Sequence, residues 1–161
     1  MLKLFYISII LLLLLSCSDN SEQISELRSQ VTELQKKIDD SYKPGFGEFM
    51  SNIQVHHAKL WFAGINQNWE LADFEIHEIK ESFEDIMKYQ SEREESKTIP
   101  IIYPLLDSVQ LAIEKKSLNS FKSSFAALTN TCNSCHKAVK FEFNKVKIPD
   151  IPQFSNQVFN K

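Results

Sequence analysis

Glycine is scarce in this chain, with only three in 161 residues. Hairpin turns and phosphate-binding loops both depend on glycine, so all-β folds and nucleotide-binding α/β folds are poorly supported. Basic residues are also outnumbered, 18 against 21 acidic ones, which gives a formal charge of −3. A nucleic-acid binder must neutralise many phosphates, so this balance argues against nucleic acid as a partner.

What the chain does contain is enough apolar material for a core. Hydrophobic residues make up 43% and charged residues 24% of the sequence, the balance of a globular protein rather than a disordered one. A length of 161 residues allows one compact domain with short appendages.

The N-terminus has the pattern of an export signal. Lys3 is followed by a predominantly apolar run over residues 4–15, which is shorter than the ~20 residues needed to cross a bilayer. Residues 1–16 are therefore predicted to be a signal peptide rather than a transmembrane helix. The motif Leu-Leu-Ser-Cys that ends at Cys17 resembles the lipobox of bacterial lipoproteins. That resemblance implies lipidation of Cys17 and a lipid anchor in the bacterial cell envelope, facing the periplasm or the exterior. Plain secretion is the alternative.

Residues 17–45 are predicted to form a lipidated tether and a short coiled-coil spacer. Apolar residues alternate at spacings of three and four, as at the a and d positions of a heptad repeat: Ile24, Leu27, Val31, Leu34 and Ile38. The stretch is barely more than two heptads, so it is marginal alone. It is either a weak oligomerisation helix or a spacer that holds the domain away from the membrane, and we favour the spacer.

Residues 46–143 show four segments with helical periodicity. Each carries an apolar stripe at spacings of three and four, and the segments are joined by short polar connections. Residues 90–98 contain almost nothing apolar and are predicted to be a solvated connection. After Phe143, the prolines at 149 and 152 favour an extended tail over residues 144–161. The predicted fold is all-α, a four-helix bundle with an N-terminal spacer and an extended C-terminal tail.

The residues that point to a function are Cys132-Asn133-Ser134-Cys135-His136 in the last helix, the C-x-x-C-H pattern of c-type haem attachment. On a helix, residues at i and i+3 share one side, so Cys132 and Cys135 could each add to one vinyl group of a haem. His136 would then be the proximal iron ligand. The expected cofactor is one covalent haem c per chain, which agrees with export.

The two cysteines of the motif have two other interpretations. A redox dithiol is expected in a thioredoxin-like sheet, whereas this chain offers helices. A zinc site could combine Cys132 and Cys135 with His56 or His57 across the bundle. The histidine directly after the second cysteine favours haem over both.

The position of the motif indicates the class of cytochrome. All three methionines, Met1, Met50 and Met87, precede the motif, whereas the common small cytochromes c have a methionine ligand far downstream. A C-x-x-C-H in the last helix of a four-helix bundle resembles cytochrome c′ and its low-spin relatives over roughly residues 46–143. The basic residue that this family commonly carries four positions after the haem histidine would be Lys140. Relatives often dimerise through their first two helices, so the resemblance allows a homodimer.

The distal side departs from that family. It usually offers an apolar residue or a methionine, but here His56 and His57 stand midway along the first of the four helices. His57 lies on the stripe expected to face the haem, and His56 lies on its adjacent edge. We take His57 or His56 as the candidate distal ligand. Met50, two turns earlier, is a weaker candidate.

These observations predict a membrane-anchored monohaem c-type cytochrome that transfers electrons to and from redox partner proteins of the cell envelope, rather than an enzyme. A first alternative is a cytochrome c′-like protein with an open iron site that binds or detoxifies NO or CO. A second alternative is a structural lipoprotein with a Cys/His zinc site.

Overall fold

The computed structural model describes residues 19–39, 41, 44–154 and 156–160, and all of the regular secondary structure in this part of the chain is helical. The chain divides into two units, Met1–Lys43 and Pro44–Lys161. The predicted signal peptide and Cys17 lie outside the described residues. Within the described part, no helix is long and apolar enough to cross a membrane.

In the described part of the first unit, residues 19–39 form helix α1 (Asp19–Asp39). An ion pair between Glu33 and Lys37, with 2.9 Å between Oε1 and Nζ, links successive turns. The helix prediction for this segment is therefore confirmed, while its role as a spacer stays a prediction.

The second unit is a bundle of α-helices. Its helices are α2 (Phe46–Ile65), α3 (Trp69–Tyr89), α4 (Tyr103–Glu114) and α5 (Leu118–Ala138), and a 3₁₀ helix (Glu95–Ile101) precedes α4. Helix α2 packs against α3 and α5, and α4 packs against the same two helices. The prediction of an all-α helical bundle is confirmed.

Polar residues and one proline begin three of these helices. The side chain of Asn68 accepts a hydrogen bond from the backbone N–H of Leu71 at the start of α3. Ser117 does the same for the N–H of Ser120 at the start of α5. Pro104 occupies the first turn of α4, where its missing N–H costs nothing. The first backbone N–H groups of a helix have no partner within the helix. Asn68 and Ser117 each accept from one such group, and Pro104 has no N–H that needs a partner.

In three helices the residue directly after the C-cap, where glycine is usually favoured, is not glycine. Gln67, Lys116 and Lys140 follow the ends of α2, α4 and α5 with φ of 56°, 49° and 65°. In each case the next residue returns a hydrogen bond to a carbonyl five positions earlier, for example Phe141 N–H to His136 O at 2.7 Å. This is the Schellman arrangement, in which glycine is normally preferred because side chains disfavour positive φ.

The core between α2 and α5 is aromatic. Phe121 and Phe125 of α5 are fully buried, and the indole of Trp61 lies 4.9 Å from the ring of Phe125, measured between centroids. Gly64 gives Phe121 the space it occupies, because a Cβ there would lie 2.1 Å from Cζ of Phe121. The two helices that carry the predicted haem residues are thus joined through close aromatic packing.

The predicted solvated connection over residues 90–98 was wrong in part. Ser96 is fully buried, and its hydroxyl donates to the carbonyl of Gln90 at 2.6 Å. Ile99 of the 3₁₀ helix joins the core. The local pattern is too polar to indicate burial, and a single serine becomes buried only because a backbone carbonyl accepts its hydroxyl.

The described tail residues form neither helix nor strand, as predicted, but several of them contact the bundle. The Asn133 side chain donates to the carbonyl of Val146 and accepts from its N–H, both at 2.8 Å. Phe159 is buried, with its ring 5.6 Å from that of Phe62. The tail therefore contributes to the core instead of only lying along the surface.

Candidate functional site

A cavity of about 350 Å³ lies beside the C-x-x-C-H motif, within the size range of small-molecule and cofactor sites. Its walls come from α2, α3, the 3₁₀ helix with its flanking residues, α5 and the segment that follows α5. Five of the residues singled out from the sequence line it: Met50, His57, Cys132, Cys135 and His136.

Helix α5 supplies the two cysteines to the cavity wall. Both are free thiols and half-buried, and they lie one helical turn apart on the same side. The pKa of Cys132 is raised to about 12, mainly by burial and to a smaller extent by the neighbouring Cys135. Burial also raises the pKa of Cys135. A reactive redox dithiol needs a lowered thiol pKa, so these surroundings do not favour that interpretation.

His136 is held in one tautomer by the segment after α5. Its Nδ1 lies 2.6 Å from the carbonyl oxygen of Asn144. A carbonyl can only accept, so Nδ1 carries the proton, and in the neutral ring the lone pair is on Nε2. A backbone carbonyl that accepts from one ring nitrogen is the usual way in which a metal-ligating histidine is oriented.

His57 of α2 is buried, and its Nε2 lies 2.9 Å from the hydroxyl oxygen of Thr129 on α5. That hydroxyl has one hydrogen, which it donates to the carbonyl of Phe125 at 2.9 Å. Thr129 must therefore accept from His57, so Nε2 of His57 carries a proton and the neutral ring has its lone pair on Nδ1. Burial lowers the pKa of His57 to about 4, which keeps the ring neutral.

His56 turns to the other side of α2. Its Nδ1 lies 2.6 Å from Oε2 of Glu75 on α3, and both side chains are buried. Its Nε2 is 3.8 Å from a carboxylate oxygen of Glu78. His56 is not among the described residues that line the cavity, so the structure brings only His57 of this pair to the candidate site.

Lys140 does not line the cavity either, although its neighbour Val139 does. It is exposed and occupies the left-handed position just after α5. Its backbone N–H donates to the carbonyl of Lys137 at 3.2 Å, as part of the helix ending. The backbone of Lys140 therefore helps to end α5, and its side chain forms no part of the cavity wall.

Sequence reasoning missed two kinds of residue. Arg93, Glu95 and Thr98 line the cavity from the connection before α4, and their polar pattern gave no sign of it. Arg93 and Glu95 form a two-pronged ion pair at 2.7 and 3.2 Å, and the pairing with Arg93 lowers the pKa of Glu95.

Glu75, the partner of His56, is the second kind of residue that was missed. The sequence does carry a signal for it, because Glu75 lies one helical turn from Ala72 and Ile79 on the apolar side of α3.

Comparison of the chain with protein-family models, with curated proteins and with solved structures gives no match. Across the described residues, no three His, Cys, Asp or Glu side chains lie close enough together to hold a metal ion. The alternative zinc site, which would combine Cys132 and Cys135 with His56 or His57, is therefore not assembled among these residues.

Proposed function

We propose that this protein is a membrane-anchored c-type cytochrome with one covalently attached haem in the cavity between α2 and α5, and that it carries electrons in the bacterial cell envelope. One observation carries the proposal. The C-x-x-C-H residues of α5 line the same cavity as His57, a buried neutral histidine from a different helix.

The residues fit a haem on three counts. Cys132 and Cys135 are unpaired thiols on one side of the cavity, as two thioether bonds require. The contact with Asn144 leaves the lone pair of His136 on Nε2, where it can be given to iron. The aromatic and aliphatic walls, including Phe83, Ile99 and Ile102, suit the apolar faces of a porphyrin. When bound, the haem would supply a one-electron iron couple.

His57 is the residue we propose for the distal side. It lines the cavity from α2, a different helix from that of the motif, and its neutral ring has the lone pair on Nδ1. Two imidazole ligands would leave no open position at the iron, which suits electron transfer rather than ligand binding. Met50 also lines the cavity and is the weaker candidate.

A second function is supported by the same histidine. Nε2 of His57 already donates to Thr129. If this contact keeps His57 from binding the iron of a haem, the cavity would hold a neutral imidazole that is not a ligand, as would suit a protein that binds NO or CO.

The location is part of the proposal. Lipidation at Cys17 would anchor the protein to a membrane on the side where c-type haem is normally attached, and redox proteins of the same compartment would be its partners. This rests on the sequence pattern before residue 18.

An absorption spectrum tests both functions. The full chain is expressed in a host that matures c-type haem, and spectra are recorded in the ferric, ferrous and ferrous-plus-CO states. We expect a Soret band that survives denaturation with acid and organic solvent, because the haem is covalent, and ferrous spectra that CO does not change. A shift with CO would support the ligand-binding function, and the absence of a Soret band would refute both.

Variants assign the ligands. Replacing Cys132 and Cys135 together by serine should make any bound haem extractable. His57→Ala should convert a low-spin spectrum to high spin, whereas His56→Ala, whose histidine faces Glu75, should leave the spin state unchanged. A low-spin spectrum in His57→Ala would assign the sixth position to another residue, with Met50 tested next.

A further inference from the structure

Helix α1 presents an uninterrupted apolar stripe to solvent. Its five members, all between 48% and 62% exposed, are Ile24, Leu27, Val31, Leu34 and Ile38. They follow one another at alternating spacings of three and four, so they lie in one row along the helix. A row of large apolar side chains in water is unfavourable, and an amphipathic helix of this kind is normally covered by a partner.

The types of these residues indicate the partner. With Ile24 at position a, the other a positions are Val31 and Ile38, and the d positions are Leu27 and Leu34. β-Branched residues at a combined with leucine at d favour a parallel coiled coil of two strands over one of three or four.

We propose that α1, rather than serving only as the spacer favoured from the sequence, pairs with α1 of a second copy of this chain as a parallel, in-register, two-stranded coiled coil. The proposal is independent of haem binding, because the residues that carry it belong to the first unit alone. A second copy is the one partner that is certain to carry the same heptad pattern in the same compartment.

The flanking positions are compatible with this register. In a parallel pair each g residue faces the e residue five positions later on the partner helix, which sets Gln23 against Arg28 and Gln30 against Gln35. No like charges meet. Glu26 and Glu33 fall at position c, on the outer surface, where they remain in water.

A lipid surface is a poorer partner for the stripe. Helices that lie on membranes carry a polar face rich in Lys and Arg, but between residues 20 and 38 this helix has three acidic and three basic residues. The helix is short for a coiled coil, and the lipid anchor proposed above would offset this. It would hold the N-termini of both copies at one surface, which raises their effective concentration and favours the parallel orientation.

Cross-linking of the full chain in isolated membranes tests the pairing. Ile24→Cys places a thiol at an a position, where it faces its own counterpart, and Ser25→Cys places one on the outer surface as the matched control. Mild oxidation should give at least about fivefold more disulfide-linked dimer for Ile24→Cys than for Ser25→Cys. Only at position 24 do the β-carbons of the two copies come close enough for their sulfur atoms to form a disulfide. Both variants keep the native cysteines, so that background is shared. Equal dimer in both variants overturns the proposal.

A second pair of variants tests whether the cross-link arises from specific pairing of the helices or from random collisions between chains. In the Ile24→Cys chain, Leu34→Asp puts a charge into the interface and should reduce the cross-link by about tenfold or more. Ser29→Asp adds the same charge on the outer surface and should leave it unchanged. Efficient cross-linking between differently tagged Ile24→Cys and Ile38→Cys chains would overturn the parallel orientation. The chain could instead form no cross-linked dimer and bind phosphatidylglycerol vesicles in a way that Leu34→Asp abolishes. That result would overturn the choice of a second copy as the partner.

Discussion

Gly64 of α2 lies directly against the ring of Phe121 of α5, so closely that a Cβ on Gly64 would stand 2.1 Å from Cζ of Phe121 and 2.2 Å from Cε1. Phe121 is fully buried and is itself packed against Trp61 and Phe125. Its ring has little room to move. This contact allows a close approach of α2 and α5, the two helices that carry His57 and the C-x-x-C-H motif.

Gly64→Ala should therefore be destabilising, although alanine is ordinarily the better helix former. The added methyl overlaps a ring with no free space around it, and overpacking of this kind costs about 1–3 kcal/mol. Urea denaturation followed by far-UV circular dichroism measures the loss.

Gly47→Ala is the matched control for that substitution. Gly47 lies in the same helix, and a Cβ there would meet nothing within 4 Å. It should be neutral or stabilising by up to about 1 kcal/mol, because alanine loses less backbone entropy on folding. Equal losses in the two variants would show that backbone propensity, rather than the contact with Phe121, decides the effect.

Lys116→Gly should stabilise the chain. Lys116 has φ of 49° after the end of α4, a conformation that costs a residue with a side chain about 1–2 kcal/mol. Glycine avoids this cost but loses more entropy on folding, so the net gain is about 0.5–1 kcal/mol. Lys115→Gly is the control, since its φ of −76° is helical, and it should lose stability. Thermal denaturation of both variants gives the comparison, and a destabilised Lys116→Gly would contradict the Schellman ending.

The pair formed by His56 and Glu75 should behave as a unit. The two side chains are buried with 2.6 Å between Nδ1 and Oε2, so Glu75→Leu leaves a buried polar ring without its acceptor and should cost about 3 kcal/mol or more. Adding His56→Leu should recover part of the loss, because both partners are then apolar. A double-mutant cycle from urea denaturation measures the coupling, and additive losses would refute it.

The stability of the chain without haem should fall in mild acid because of His57. Burial lowers the pKa of His57 from 6.5 to about 4, so the unfolded chain takes up a proton in this range that the folded chain does not. The stability is thus complete above about pH 6.5 and decreases as the pH falls toward 4, by about 3 kcal/mol in total.

His57→Leu tests this by removing the titrating group. Its free energy of unfolding should depend less on pH between 7 and 4 than that of the parent chain. His77→Leu replaces an exposed histidine of α3 and should follow the parent. A parent and a His57→Leu variant with the same pH dependence would show that His57 is not held neutral by burial.

The helices could be predicted from the sequence because their signal is local. The apolar stripes, the proline that begins α4 and the serine cap of α5 all act between residues within one or two turns. The same local spacing predicted that Cys132 and Cys135 share one side of α5. The burial of Ser96 could not be predicted in this way, because it depends on a carbonyl six residues earlier that only the folded connection brings within reach.

The two adjacent histidines show the limit of such reasoning. Both lie near the apolar stripe of α2, and periodicity alone left the choice between them open. Folding separated them, since Glu75 of α3 engages His56 while Thr129 of α5 engages His57 beside the cavity.

The sequence by itself determined the all-helical fold, the C-x-x-C-H motif on the last helix and the heptad stripe of α1, because each depends on the fixed geometry of a single helix. Only the tertiary structure decided which histidine reaches the cavity, that the connection before α4 forms part of its wall, and that Gly64 sets the distance from Phe121. Helical spacing specifies the face that a residue occupies, but the neighbour opposite that face is chosen by the packing of the whole bundle.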